Sequence, residues 1–310
     1  MNKKNKNILV IMGGLSNERE VSLVTGLACQ KALEEAGYQV RSFDFKHNIK
    51  DFLSVLDPKP DVIFNALHGR FGEDGTIQAL LNLLAIPYTH SGLLASSMAM
   101  NKDISRRIFH SIGLRIPEGK VYSRKELLHP KEIMPRPYVI KPINEGSSVG
   151  VKIFKQGDNK MPFDEGSLPD GDELLVERFI PGRELTVTIL GNEALAVTEL
   201  KPKRGFYDYE AKYSEGITEH QIPALIPKDV ELLAKDWALK AHYALGCRGV
   251  TRSDLRYDDS KNSTDGLYIL EINTQPGMTP LSLAPEQASY KGINFAQLVS
   301  WMVENAQCDN

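Results

Sequence analysis

Residues 249–257, Gly-Val-Thr-Arg-Ser-Asp-Leu-Arg-Tyr, and residues 266–273, Gly-Leu-Tyr-Ile-Leu-Glu-Ile-Asn, decide how this chain is read. Both runs alternate apolar and polar residues at strand spacing. The intervening Asp-Asp-Ser-Lys-Asn-Ser-Thr-Asp-Gly at 258–266 reads as a long hairpin loop, which makes the two strands antiparallel neighbours. Residues two apart share a strand face. Arg252 and Asp254 then lie on one side with Glu271 and Asn273, while Leu270 and Ile272 are expected to point into a core. One polar pair of this kind is ordinary on a half-solvated sheet. Two pairs, followed by Thr274-Gln-Pro-Gly-Met278, bring a cation and three hard oxygen donors together. Such donors suit Mg²⁺ shared with phosphates rather than zinc or copper.

Working outward, 310 residues are too many for one small core, and two or three domains are expected. The content of 42% hydrophobic and 25% charged residues is that of an ordinary globular protein. A net charge of -3 gives no electrostatic reason to expect nucleic acid or an anionic membrane as partner. The early lysines precede only Ile8-Leu-Val-Ile-Met12, too short for a signal-peptide core and better read as a buried strand. No apolar run approaches spanning length. Cys29, Cys247 and Cys308 lack metal-ligand or disulfide spacing, and a sparse odd count suits a reducing cytoplasm.

The first hundred residues alternate strand and helix: strands at 8–12, 40–45, 62–67 and from Pro87, helices at 17–36 and 75–85. Asn17 and Glu20 are placed for a capping box on the first helix, and Gly37 for its end. This alternation implies a doubly wound parallel sheet. After helices over 93–112, prolines and glycines punctuate a β-rich segment with strands at 138–141, 149–154, 174–179, 185–190 and 194–200, the last two joined by a tight turn at Gly191-Asn192. Residues 204–221 are polar and aromatic, and read as a lid rather than a linker because of Tyr207, Tyr209, Tyr213 and Lys212. Helices follow at 228–245 and 295–306.

Glu145-Gly-Ser-Ser-Val-Gly150 lies between two strands, where backbone N–H groups and hydroxyls can wrap phosphate oxygens, with Lys141 in reach. A plain hairpin is the competing reading. Neither a P-loop nor a dinucleotide fingerprint is present. Glu177-Arg-Phe-Ile180 with Glu184 alternates carboxylate and apolar residues, which suits a ribose and a base. Asn17-Glu18-Arg-Glu20 and His68-Gly-Arg-Phe-Gly-Glu-Asp-Gly75 fall on strand-to-helix loops, the edge where doubly wound sheets bind ligands. Glu18 there is suited to a substrate ammonium.

Taken in order, Gly13-Gly-Leu-Ser-Asn-Glu-Arg-Glu-Val-Ser-Leu23, the His68–Gly75 loop, the Glu145–Gly150 loop, Phe206-Tyr-Asp-Tyr-Glu-Ala-Lys-Tyr213, Arg252-Ser-Asp254 and Leu270-Glu-Ile-Asn-Thr-Gln-Pro-Gly-Met-Thr279 resemble the D-alanine–D-alanine ligases of the ATP-grasp superfamily. The resemblance spans nearly the whole chain. It implies an α/β fold, α+β overall: an N-terminal doubly wound domain (1–100), a β-rich central lid domain (101–184) and an α+β C-terminal domain (185–310). It also implies a cytoplasmic homodimer that uses ATP and two Mg²⁺ ions, or Mn²⁺, to join two D-alanine molecules through an acyl phosphate. By motif, Asp254, Glu271 and Asn273 would hold the metals. Lys102, Lys141 and Lys212 would contact phosphates beneath the loop of Ser147 and Ser148, and Glu177, Arg178, Ile180 and Glu184 would line the adenosine pocket. Glu18, with Ser147, Tyr213 and His68, would hold the first D-alanine. Arg252 and the Gly277 N–H would form the oxyanion hole, and Ser282 with Gly277 would hold the second D-alanine. Asn101 stands where the family commonly has Asp, and Ile143-Asn144 where a polar residue is expected. A D-lactate-using depsipeptide ligase and a non-catalytic ATP-binding regulator are the alternatives; Tyr213, Glu18 and Arg252 favour the D-alanine ligase.

Overall fold

The computed structural model describes residues 6–46, 48–129, 133–146, 150–158, 166, 168–202, 218–279 and 282–309. Strand β1 (Asn7–Gly13) lies between β2 (Gln39–Phe45) and β3 (Val62–Asn65), all parallel. Its run of apolar residues is continuous because both faces are covered. Ile8, Val10 and Met12 pack with Cys29 and Leu33 of helix α1 (Arg19–Glu35). Leu9 and Ile11 face Phe52 of α2 (Ile49–Ser54) and Ile77 and Leu81 of α3 (Thr76–Leu83). Each such side chain taken fully out of water contributes about 1.5–3 kcal/mol.

Helices α4 (Leu93–Met100) and α5 (Lys102–Ser111) lead into an antiparallel sheet ordered β4-β7-β5-β6, from β4 (Gly119–Ser123), β5 (Tyr138–Pro142), β6 (Lys152–Phe154) and β7 (Glu173–Arg178), with the short α6 (Arg124–Leu127) after β4. A second antiparallel sheet has the order β10-β9-β8-β11-β12, from β8 (Arg183–Leu190), β9 (Glu193–Pro202), β10 (Thr218–Gln221), β11 (Val250–Tyr257) and β12 (Leu267–Asn273). Helix α7 (Lys228–Ala244) lays Val230, Ala234, Trp237 and Ala241 against Leu185, Val187, Leu255 and Ile269 of that sheet. Helix α8 (Leu283–Tyr290) precedes α9 (Phe295–Glu304), which returns Leu298, Val299, Met302 and Val303 to the core beside β1. Among the described residues no helix is long and apolar enough to cross a membrane.

Several boundaries differ from those expected. Helix α1 begins at Arg19 with Glu18 at its N-cap and no side-chain cap bond, so Asn17 and Glu20 form no capping box. Ser16 organises the turn instead, its hydroxyl accepting from the Glu18 N–H (3.2 Å) and donating to the His68 carbonyl (2.7 Å). Strand β3 stops at Asn65 because that side chain accepts the Leu67 N–H at 3.1 Å, drawing the backbone out of its extended run. The strand expected from Pro87 is a single-residue bridge, Tyr88 between Ile63 and Gln307. Strand β10 and helix α8 were not anticipated, nor were β4 and α6. The rest of the expected lid, and with it Lys212 and Tyr213, lies outside the described residues, as do Ser147 and Ser148.

Candidate active site

Strands β11 and β12 pair antiparallel with Arg252 opposite Asn273 and Asp254 opposite Glu271. On β11 the half-buried Arg252, Asp254 and Arg256 alternate with buried Ser253 and Leu255, so the expected convergence holds. One detail is corrected. The register jumps from Asp254–Glu271 to Leu255–Ile269, leaving Leu270 as an unpaired bulge residue. A bulge re-aims side chains, and Leu270 lines the cleft beside Glu271 instead of entering the core, which Ile269 and Ile272 fill.

That cleft, a solvent-open space of about 820 Å³, runs between the central and C-terminal sheets. Val139, Val151, Phe179, Ile180 and Leu270 give it apolar walls, and Lys102, Lys141, Glu177, Arg178 and Glu184 give it charge. Glu177 is buried and holds two cations: its Oε1 lies 2.5 Å from Lys141 Nζ, and its Oε2 pairs with Arg106. Arg106 also donates to the Pro117 carbonyl at 2.8 Å. Arg178 donates to the Tyr268 hydroxyl at 2.9 Å. Arg256 ties the hinge between the sheets, donating to the Ile180 carbonyl (3.1 Å) and the Gly182 carbonyl (2.8 Å) and reaching Glu184 at 3.4 Å. Burial lowers the pKa of Arg256, and Glu184 opposes that shift.

A second pocket, about 690 Å³, opens next to the first and shares Lys102, Glu145 and Glu271 with it. Lys102 stands between the two, donating to the Glu145 carbonyl at 2.5 Å and pairing with Glu271 at 3.2 Å. Its own N–H is held by the Ile143 carbonyl, and the Ile143 side chain is buried, which accounts for an apolar residue there. Asn101, in place of the expected Asp, caps α5 by accepting from Asp103 N and Ile104 N. The second pocket is walled by Glu18, His68, Glu73, Arg252, Asn273 and Gly277. Gly69 has a φ of +68°, and a Cβ there would fall 3.0 Å from Glu18 Oε2, so the loop after His68 needs glycine to approach that carboxylate.

His68 Nδ1 is 2.8 Å from Glu73 Oε1, and its Nε2 is 3.2 Å from Thr25 Oγ1. Burial alone would lower the His68 pKa, but the hydrogen bond and charge of Glu73, with the charge of Glu18, leave it raised. Burial raises the Glu73 carboxyl, and its bond to His68 opposes the rise. Facing Glu73 and Glu18, His68 holds its proton more tightly than a free histidine does.

Arg252 grips Asp254 through two bonds, Nε to Oδ1 and Nη2 to Oδ2, both 2.8 Å. Asn273 Oδ1 accepts the Gln275 N–H at 2.7 Å. Gln275 is buried, accepts from Asn65 Nδ2 at 2.8 Å and donates to the Leu67 carbonyl, tying the end of β12 to the loop before His68. Ser282 Oγ accepts the Thr279 N–H at 2.9 Å and lies 2.9 Å from where a Cβ on Gly277 would fall. The structure thus brings Glu18, His68, Arg252 and Gly277 together in one pocket. It brings Lys141, Glu177, Arg178, Ile180, Glu184 and Asp254 together in the other, with Lys102 and Glu271 at the junction, and sets Asn273 in the second pocket and Ser282 next to Gly277.

Among the described residues no group of three or more His, Cys, Asp and Glu is placed to hold a metal. The donors here are two carboxylates and one amide on paired strands, all hard oxygens. Such a set fits Mg²⁺ whose remaining positions are filled by phosphate and water.

A parallel-sheet domain followed by two antiparallel sheets that clasp a cleft is the architecture of an ATP-grasp enzyme. The family model described as D-ala D-ala ligase C-terminus matches residues 111–304, and the one described as D-ala D-ala ligase N-terminus matches residues 53–91. The chain belongs to the D-alanine–D-alanine ligase family. It is 52% identical over 303 residues to the D-alanine–D-alanine ligase of Acidiphilium cryptum, covering 98% of this chain and 99% of that protein. It is 53% identical over 310 residues to the one from Paramagnetospirillum magneticum, covering 98% and 99%. The crystal structure of the Bacillus anthracis D-alanine–D-alanine ligase complexed with ATP superposes with a TM-score of 0.79 at 30% identity, covering 96% of each chain.

Proposed function

We propose that this chain uses ATP to join two D-alanines into D-alanyl-D-alanine for peptidoglycan precursors, acting in the cytoplasm as a homodimer, with residues 1–100, 101–184 and 185–310 as its three domains. The observation that carries the reading is the junction of an apolar-walled cleft and a Glu18–His68–Arg252 pocket at Lys102 and Glu271. The adenosine lies along Ile180, Leu270 and Glu184, with its phosphates toward Lys141 and Lys102. Asp254, Glu271 and Asn273 hold two Mg²⁺, or Mn²⁺ in their place, and the metal supplies charge neutralisation at the phosphates.

Glu18 takes the ammonium of the first D-alanine, and the His68 imidazolium adds positive charge beside it for the carboxylate. A carboxylate oxygen attacks the γ-phosphorus and ADP leaves, giving D-alanyl phosphate. The second D-alanine, held at Gly277 and Ser282, attacks the acyl carbon through its amine. The carbonyl oxygen gains charge, which Arg252 and the Gly277 N–H stabilise by about 3–4 kcal/mol each. Phosphate then leaves as the amide forms, and the two protons lost from the acceptor's ammonium go to the departing phosphate and to solvent. By the family resemblance, Ser147 and Ser148 would cover the phosphates, Lys212 would add a further phosphate contact and Tyr213 would orient Glu18; all four lie outside the described residues. The test is product mass and phosphate release with ATP, Mg²⁺ and D-alanine as sole amino acid. Release with a mass equal to D-alanyl-D-alanine is expected; no release, or release only on adding D-lactate, rejects the reading.

A further inference from the structure

We propose that Thr186 is a positioning residue for the Asp254 carboxylate, aiming its oxygens at the divalent cation; this rests on reading Asp254 as a metal ligand. Thr186 is opposite Asp254 in the β8–β11 ladder and fully buried. Its Oγ1 donates to Asp254 Oδ1 at 2.8 Å. The Ser253 carbonyl lies 3.2 Å from the same hydroxyl, but one proton serves one acceptor, and the nearer, charged carboxylate makes the stronger bond.

Asp254 is therefore held from two sides, by a cation and by a neutral hydroxyl. The two holds differ in kind. Arg252 brings a positive charge next to the carboxylate, which opposes a second cation there. Thr186 leaves the carboxylate charge intact and fixes only its orientation. A buried hydroxyl is costly unless bonded, and valine would fill the same sheet position without that cost, so the hydroxyl earns its place through Asp254.

Thr186 is itself fixed. Its carbonyl accepts from Gln287 Nε2 at 3.2 Å, Gln287 Oε1 accepts the Thr188 N–H at 2.9 Å, and Gln287 Nε2 also reaches Thr198 Oγ1 at 3.1 Å. Gln287 is fully buried on α8, and a β-branched residue in a strand has a restricted χ1. The hydroxyl position is thus set by the packing of α8 on the sheet. Hydrogen-bond partners that orient a metal-ligating carboxylate are worth about 10–100-fold in metal affinity.

The experiment compares Thr186→Val, which removes the hydroxyl at nearly constant shape, with Thr186→Ser, which keeps it, and with Asp254→Asn. Mn²⁺ binding to the whole protein carrying ADP is measured by electron paramagnetic resonance, with ADP affinity in the absence of metal and thermal melting as controls. Thr186→Val is expected to weaken Mn²⁺ binding by about 10–100-fold while metal-free ADP binding stays at the wild-type level, with Thr186→Ser near wild type. Wild-type Mn²⁺ binding in Thr186→Val alongside lost binding in Asp254→Asn overturns the role of Thr186 and leaves Asp254 as ligand. Wild-type binding in both overturns the ligand assignment as well. If Thr186→Val does not fold, Thr186→Ala replaces it against Thr186→Ser, since these two differ only in the hydroxyl; equal Mn²⁺ affinity in that pair also overturns the proposal.

Discussion

Replacing Arg106 by methionine tests how the cleft proposed for ATP is held together. The Arg106 and Glu177 side chains are each 4% exposed, and Lys141 is 8% exposed. Arg106→Met keeps the apolar stem but strips Glu177 Oε2 of its guanidinium and the Pro117 carbonyl of its donor. Breaking a buried ion pair from one side costs about 3–5 kcal/mol, because a charge is left buried without its partner. Lys141 remains on the other oxygen of Glu177, so the low end applies, about 3 kcal/mol, or about 150-fold in a local opening equilibrium. Native-state hydrogen exchange reads this directly at the amides of α5 and β7, the helix and strand this pair joins. ATP affinity is expected to fall as well, since Lys141 must then neutralise Glu177 alone. Adding Glu177→Gln to the methionine variant removes the carboxylate that Arg106 would have neutralised, leaving only Lys141 without its partner, and is expected to recover about 1–3 kcal/mol relative to the sum of the single changes. Unchanged exchange in the single variant, or strict additivity in the double variant, refutes the argument.

Arg252→Met is expected to abolish dipeptide formation while ATP binding stays measurable by calorimetry, and unchanged turnover removes Arg252 from the oxyanion hole. Asn273→Ala is expected to raise the Mg²⁺ concentration needed for half-maximal phosphate release. Gly277→Ala puts a Cβ 2.9 Å from Ser282 Oγ, and is expected to raise the KM for the acceptor D-alanine more than that for ATP. The raised pKa of His68 gives a signed prediction. Its folded-state pKa lies above the unfolded value of about 6.5, so its stabilisation is fully present below about pH 6.5 and is lost as pH rises through the folded pKa. Burial holds His90 at about 3 and His242 at about 4, so neither titrates in that window. His68→Gln is expected to flatten the melting temperature across it.

Much of this was legible in the residues because strand alternation is a local property. Arg252, Asp254, Glu271 and Asn273 could be set on one face from spacing alone, and β1 announced itself as buried on both sides. What was missed depends on partners distant in sequence. Arg106 follows Lys102 by one helical turn, a signal that was available, yet nothing local says that the far end meets Glu177. Leu270 went to the wrong face because a bulge depends on the neighbouring strand, and period-two reasoning cannot see it. Asn17 and Glu20 had the right residue types for a capping box, but Ser16 already served that turn. Thr186 bonds Asp254 across neighbouring strands of one sheet and Gln275 reaches Asn65 and Leu67 of the first domain, and a buried Thr or Gln reads in sequence as ordinary core.

The bulge at Leu270 has a consequence for engineering. Removing that one residue would leave Ile269 facing inward and Glu271 and Asn273 facing outward, because strict alternation then resumes with every other side chain on its present side. On the function proposed above, base preference and cation chemistry would then be separable on β12: a deletion or swap at 270 would alter the cleft wall proposed for the purine while the oxygens of Glu271 and Asn273 keep their aim.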